Sequence, residues 1–215
     1  RNISRSIMRK LNFKKNIIFD LDGVLIDSLA NMKISWKITN NKYNLNIPFK
    51  EYQKYIGLPF REILKKLGIN SFFFNLIEKE YNRQSRKNLK NIKFYPNVLN
   101  TLGYLQKKNY FIGVLTSKNK LRTNLILKKL KFNFKIIQSP QKNYKGKPHP
   151  DLLIKIIKEK KLKKKECIYI GDAVYDLLMC NRAKVDFIFA KYGYQIGMKN
   201  YKYKINNFKE IKKIL

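Results

Sequence analysis

The pattern of apolar and polar positions divides the chain into three parts. A short run at 17–19, β-branched and aromatic with no helical stripe around it, predicts a buried strand ending at Asp20. From 29 to about 90 the apolar residues recur at helical spacing. Helices are predicted there over 29–43, 49–55, 60–67 and 72–88, with 44–48, 57–59 and 68–71 as breaks. From Pro96 the rhythm alternates. Helices are predicted over 97–107, 118–130, 149–160, 174–183 and 207–214, and strands over 110–115, 134–138, 167–170 and 185–190. Strands separated by helices of about 10–15 residues form βαβ units, hence a parallel sheet with right-handed crossovers. The expected fold is α/β. Residues 1–28 would begin the α/β part (1–15 a basic N-terminal segment), 29–91 would be an all-helical insert, and 92–215 would complete the α/β part. A chain of 215 residues has the length for one core plus a small inserted domain.

Composition changes this picture little, and charge changes it more. The chain carries 48 Lys+Arg against 14 Asp+Glu, a formal net charge of +34. Such a balance taken alone points to nucleic acid or an anionic membrane surface. Only 8 of the basic residues are Arg, and the basic residues are spread along the whole chain. Nucleic-acid binders cluster them and favour Arg for bidentate contacts. Lys, Asn, Ile, Phe and Tyr together make 119 of 215 residues, all of them encoded by A/T-rich codons. A genome bias accounts for the charge without a specific nucleic-acid partner. No run reaches the ~18 apolar residues of a membrane span, and 1–15 lacks an apolar signal core. The expected location is the cytoplasm, with Met8 a candidate start. Cys167 and Cys180 lack metal-ligand spacing and are expected to be buried and reduced.

The acids are placed more tellingly. Of seven Asp, five (Asp20, Asp22, Asp27, Asp172 and Asp176) fall in two short windows. Unpaired buried carboxylates are costly, so Asp20 and Asp22 need something cationic before them. Three polar sites follow predicted strands: Asp20 after 17–19, Thr116-Ser117 after 111–115, and Gly171-Asp172 after 167–170. Open α/β sheets bind ligands at such strand ends. A fourth stretch, Gly146-Lys147-Pro148-His149-Pro150, precedes a helix. Carboxylates, hydroxyls and a lysine on one sheet edge match a phosphate ester with a hard divalent cation.

Four ordered motifs carry a resemblance. Asp20-Leu21-Asp22-Gly23, Thr116, Lys147-Pro148 and Gly171-Asp172-Ala173-Val174-Tyr175-Asp176 resemble, in order and spacing, the motifs of the haloacid dehalogenase-like hydrolases. The match runs from about residue 16 to 193. The helical insert sits where one subgroup, the phosphoglycolate phosphatase-like and β-phosphoglucomutase-like proteins, carries a helical cap. The resemblance implies a Rossmann-like parallel sheet and an aspartyl-phosphate mechanism. Asp20 would be the nucleophile and Asp22 the general acid and then base. Mg²⁺ would be held by Asp20, the Asp22 main-chain carbonyl, Asp172 and, in support, Asp176. Thr116 and the amides near Ser117 and Gly23 would bind phosphoryl oxygens, and Lys147 would neutralise developing charge. Arg61, after Gly57-Leu58-Pro59-Phe60, is a candidate to reach from the cap to the substrate.

Some residues have plainer expected duties. Asp27 and Ser28 are placed to cap the helix beginning near Leu29, Trp36 reads as core, and His149 as a loop-shaping residue. The expected activity is a Mg²⁺-dependent phosphatase of a small phosphorylated metabolite, with phosphoglycolate one candidate. The spacing of Gly171, Asp172 and Asp176 favours a phosphatase over the adjacent acids of the mutases. A phosphosugar mutase of the β-phosphoglucomutase type is the alternative, and an idle, basic nucleic-acid-binding protein is the alternative of another class. Both a monomer and a homodimer remain open.

Overall fold

The computed structural model describes residues 11, 13–195 and 197–215. Most of the basic N-terminal segment, with Met8, lies outside them. Strand β1 (Asn16–Phe19) is the centre of a six-stranded sheet. Its other members are β4 (Phe111–Leu115), β5 (Ile136–Gln138), β6 (Cys167–Gly171), β7 (Asp186–Ala190) and β8 (Tyr203–Ile205). The order is β5-β4-β1-β6-β7-β8, and every pairing is parallel. Phe19 sits opposite Val114 on one side and Ile170 on the other. The chain therefore leaves β1 toward one edge and returns to its other side. That switch of direction opens a crevice at the strand ends where open sheets place ligands.

The sheet has a core on each face because successive side chains in a strand point opposite ways. Ile17 and Phe19 pack with Leu102, Leu105, Phe208 and Ile211. Ile18 packs on the other side with Leu153, Ile156, Tyr169 and Cys180. Strands buried on both faces read as unbroken apolar runs, and this one does. The covering helices, all of which follow the four helices of the inserted block, are α5 (Val98–Lys107), α6 (Lys120–Lys128), α7 (Asp151–Glu159), α8 (Val174–Ala183) and α9 (Ile211–Ile214).

Between β1 and β4 the chain forms α1 (Leu29–Lys42), α2 (Phe49–Gln53), α3 (Phe60–Lys66) and α4 (Phe74–Lys87). These enclose their own apolar cluster of Met32, Trp36, Tyr52, Ile63, Leu64, Ile77 and Tyr81. Trp36 is core, and its Nε1 donates to the Ile47 carbonyl at 2.9 Å. Asn31 Nδ2 ties α1 to the end of α4 by donating to the Ser85 and Asn88 carbonyls, each at 2.9 Å. The chain enters and leaves this block through a two-stranded antiparallel ribbon of β2 (Ile26–Asp27) and β3 (Lys93–Phe94).

Three elements differ from expectation. The ribbon strands are two residues each, too short to show a period. Strand β8 is an edge of three residues in a Lys- and Asn-rich stretch, and its exposed Lys204 interrupts the apolar signal. The last helix is a 3₁₀ turn (Phe208–Glu210) followed by the short α9. Among the described residues, no helix is long and apolar enough to cross a membrane. Both cysteines are free and buried.

Candidate active site

The strand ends bring the expected residues together. Asp20 continues β1, its amide donating to the Ile170 carbonyl at 2.9 Å. Asp172 follows β6, and Asp176 stands in the first turn of α8. All three are buried, and one carboxylate oxygen from each lies within 4.8 Å of the others. Lys147 Nζ approaches Asp20 Oδ1 at 2.8 Å and Asp176 Oδ1 at 2.7 Å. These approaches are off-axis, so neither oxygen nor the ammonium has a well-formed hydrogen bond.

Three carboxylates against one ammonium leave a buried surplus of negative charge. The surplus shows in the acidities. Burial, only partly opposed by Lys147 and reinforced by Asp176, pushes Asp20 from 3.8 up to about 7. Burial, with Asp20 and Asp176 alongside, pushes Asp172 well above the carboxylate range, although the Tyr194 amide donates to its Oδ2 at 2.7 Å. Lys147 pays for its burial, yet Asp176 and Asp20 hold it above the usual lysine range. A hard-oxygen donor set short of positive charge fits a divalent cation such as Mg²⁺.

Close packing keeps the carboxylates in place. Gly23 has φ +77°, and a Cβ there would collide with the Asp172 carboxylate. A Cβ at Gly193 would strike Asp172 from another side. Asp176 carries a second duty: its Oδ2 accepts from the Ala173 amide at 3.1 Å, closing the start of α8.

The other side of the site is basic and aromatic. Lys118 Nζ lies 3.0 Å from Asp22 Oδ1, which also accepts from the Ser28 hydroxyl. Burial pushes Lys118 from 10.5 down to about 8, against the pull of Asp22. One cavity of about 40 Å³ is lined by Asp20, Asp22, Thr116, Lys118 and Asp172 from the sheet side and by Met32, Tyr52, Phe60 and Tyr81 from the helical block. That is room for roughly three waters, so the space beside Asp20 is tight. The block is seated tightly. Ser117 Oγ donates to the Gly57 carbonyl at 2.6 Å, and Pro59 packs where a Gly146 Cβ would stand.

The sequence profile of the haloacid dehalogenase-like hydrolases matches residues 17–190. The chain belongs to this family. It is 27% identical over 180 residues to the pyrophosphatase PpaX of Oceanobacillus iheyensis, covering 80% of each chain. It is 25% identical over 198 residues to a phosphoglycolate phosphatase of Pasteurella multocida, covering 86% of this chain and 88% of the other. A solved haloacid dehalogenase-like hydrolase from Streptococcus pneumoniae shares the fold, with a TM-score of 0.81 and 18% identity over 94% of this chain and 98% of its own.

Within this hydrolase, the structure assembles Asp20, Asp22, Thr116, Lys147, Asp172 and Asp176 but moves three expectations. Arg61 does not reach the site. Its Nε and Nη2 donate outward to Glu78 at 2.7 Å and Asn75 at 2.6 Å, because it faces away on α3. The Gly23 amide donates to the Ile26 carbonyl at 2.9 Å, so Gly23 serves through its missing side chain and not as an anion-binding amide. The Ser117 hydroxyl donates to the Gly57 carbonyl, which leaves the expectation for the amides near Ser117 as it stood. Ser28 gives its hydroxyl to Asp22 in place of capping α1, and Asp27 Oδ1 takes the Leu29 amide at 3.1 Å. Lys118, Arg122, Gly193 and Tyr194 are site residues that sequence reasoning missed. The signal for Lys118 was adjacency to Thr116-Ser117, drowned by the number of lysines.

Proposed function

We propose that this hydrolase removes phosphate from a small phosphorylated metabolite, with Mg²⁺, through a phosphoryl group carried on Asp20. The observation that carries the reading is the placement of Asp20 beside Lys147, Asp172 and Asp176, with Asp22 two residues on and held by Lys118 and Ser28. A carboxylate oxygen of Asp20 attacks phosphorus, the bond from phosphorus to the leaving oxygen breaks, and the proton of Asp22 passes to that oxygen. Asp22, now a carboxylate, takes a proton from water. The water oxygen attacks phosphorus, releasing phosphate and restoring Asp20. Thr116 directs its hydroxyl toward a phosphoryl oxygen, and Lys147 balances the charge that gathers as Asp20 is phosphorylated.

Asp20, the Asp22 carbonyl, Asp172 and Asp176 would hold the Mg²⁺, whose chemistry is to shield one anion from another and to steady the phosphoryl oxygens. The helical block serves as a cap that excludes water until the substrate is seated. The relatives named above are a pyrophosphatase and a phosphoglycolate phosphatase. Pyrophosphate and phosphoglycolate are both compact, and both are candidate substrates here. The test is phosphate release from a panel of phosphometabolites containing both, with Mg²⁺ and beside Asp20→Asn. Turnover of one compound that disappears in the variant supports the reading. Turnover that survives in the variant removes Asp20 as nucleophile.

A further inference from the structure

The cavity wall holds a cation that the phosphoryl chemistry does not use. Arg122 stands in the first turn of α6, where its amide donates to Asn119 Oδ1 at 2.9 Å and fixes the turn. Its side chain is 7% exposed and lines the same cavity as Asp20 and Thr116. Nε and Nη1 are buried, and neither has a hydrogen-bond partner. Its guanidinium carbon lies 5.3 Å from the centre of the Tyr81 ring, within cation–π range. Among the described residues, no carboxylate lies in ion-pair range of it. Asp22, an acid of the same cavity, is taken by Lys118 and Ser28. A buried guanidinium with free donors is costly unless a ligand supplies the acceptor.

We propose that Arg122 binds a second anionic group of the substrate, a carboxylate or a further phosphoryl, set within one short molecule from the phosphoryl group that reacts. This rests on the phosphatase reading of the same cavity and narrows it to compact compounds with two anionic ends. The guanidinium of Arg122 can give charge-assisted hydrogen bonds to either anion. Arg122, Asp20 and Thr116 line one small cavity, so a molecule that touches all three is short. Arg122 acts from the core side of the cavity, so selection at this end does not depend on a cap arginine.

The test is binding of non-hydrolysable phosphonates to the full chain with Mg²⁺ by calorimetry. Phosphonoacetate and methylenediphosphonate carry a second anion, and ethylphosphonate is the comparison without one. Wild type should bind one or both of the first pair roughly 10- to 100-fold more tightly than ethylphosphonate. Arg122→Met should erase most of that ratio, and Arg122→Lys should restore part of it. A ratio within one variant does not depend on how much of the preparation is folded. Whichever of the two loses more affinity in Arg122→Met identifies the anion. Equal binding of all three by wild type overturns the proposal, as does a ratio that Arg122→Met leaves intact. Phosphate release is read separately: a protein that discriminates anions but hydrolyses nothing would sink the phosphatase reading and leave the Arg122 assignment standing.

Discussion

Two sets of buried carboxylates in this molecule behave in opposite ways. Glu80, on α4 of the helical block, accepts from Arg83 at 2.5 and 3.2 Å, from Lys42 at 2.8 Å and from Gln84 at 2.6 Å. Those donors, Arg83 foremost, pull its pKa from 4.5 down to about 2. Asp20 and Asp172, at the strand ends, share one lysine with Asp176, and burial drives both upward. All are carboxylates with little exposure to water. Two things differ: burial dominates at Asp20 and Asp172 while donors dominate at Glu80, and the positive charge comes from different sources. In the helical block the protein supplies it in full, so the charge is structural. At the sheet edge the protein stops short, and the missing charge is a place for a ligand.

The largest expected effect tests the second half of that comparison. Asp20→Asn should lower phosphate release on the order of 10⁴-fold or more, since the group that forms the covalent bond is gone. Asp22→Asn should cost ~10²–10⁴-fold, the usual worth of acid/base help, and a loss of only a few-fold would show that another group moves the proton. Added Mg²⁺ at about 100 times its dissociation constant should raise the melting temperature by roughly 5–10 °C. In Asp172→Asn that rise should shrink or vanish. An equal rise in wild type and variant would mean that the cation binds elsewhere.

The same contrast explains what could be read without a structure. The central strand was legible because a strand buried on both faces is an unbroken apolar run, as Ile17 to Phe19 is. Asp20, Asp22, Lys147, Asp172 and Asp176 were legible because their motifs combine rare acids with fixed spacing in a basic chain. Lys118 and Arg122 were not, because a basic residue in a chain with 48 of them carries no contrast. Arg61 was misplaced for the related reason that helical spacing does not reveal which side of α3 faces the cavity. There Ile63 and Leu64 take the inside, leaving Arg61 to Glu78 and Asn75. The roles of Gly193 and Tyr194 depend on a loop after β7 folding back over Asp172, a long-range approach that no local pattern announces. The ribbon of β2 and β3 was lost because two residues show no period.

The smallest effect tests the structural half of the comparison. Glu80→Gln should cost about 1–2 kcal/mol of stability at pH 7, since it removes a charge held by Arg83 and Lys42, both of them half exposed. Phosphate release at saturating substrate should stay near wild type, because Glu80 does not line the cavity. The pH dependence follows from the sign of the shift. The folded protein holds Glu80 below its ordinary value, so the stabilisation is complete above about pH 4.5 and fades as the pH falls toward 2. Urea unfolding of wild type and Glu80→Gln from pH 7 to pH 2.5 should give two curves that run parallel above pH 5 and converge below pH 4. Curves that stay parallel to the lowest pH would mean that the stability of Glu80 comes from packing and not from its charge. The distinction drawn between the two sets of carboxylates would then rest on the strand-end residues alone.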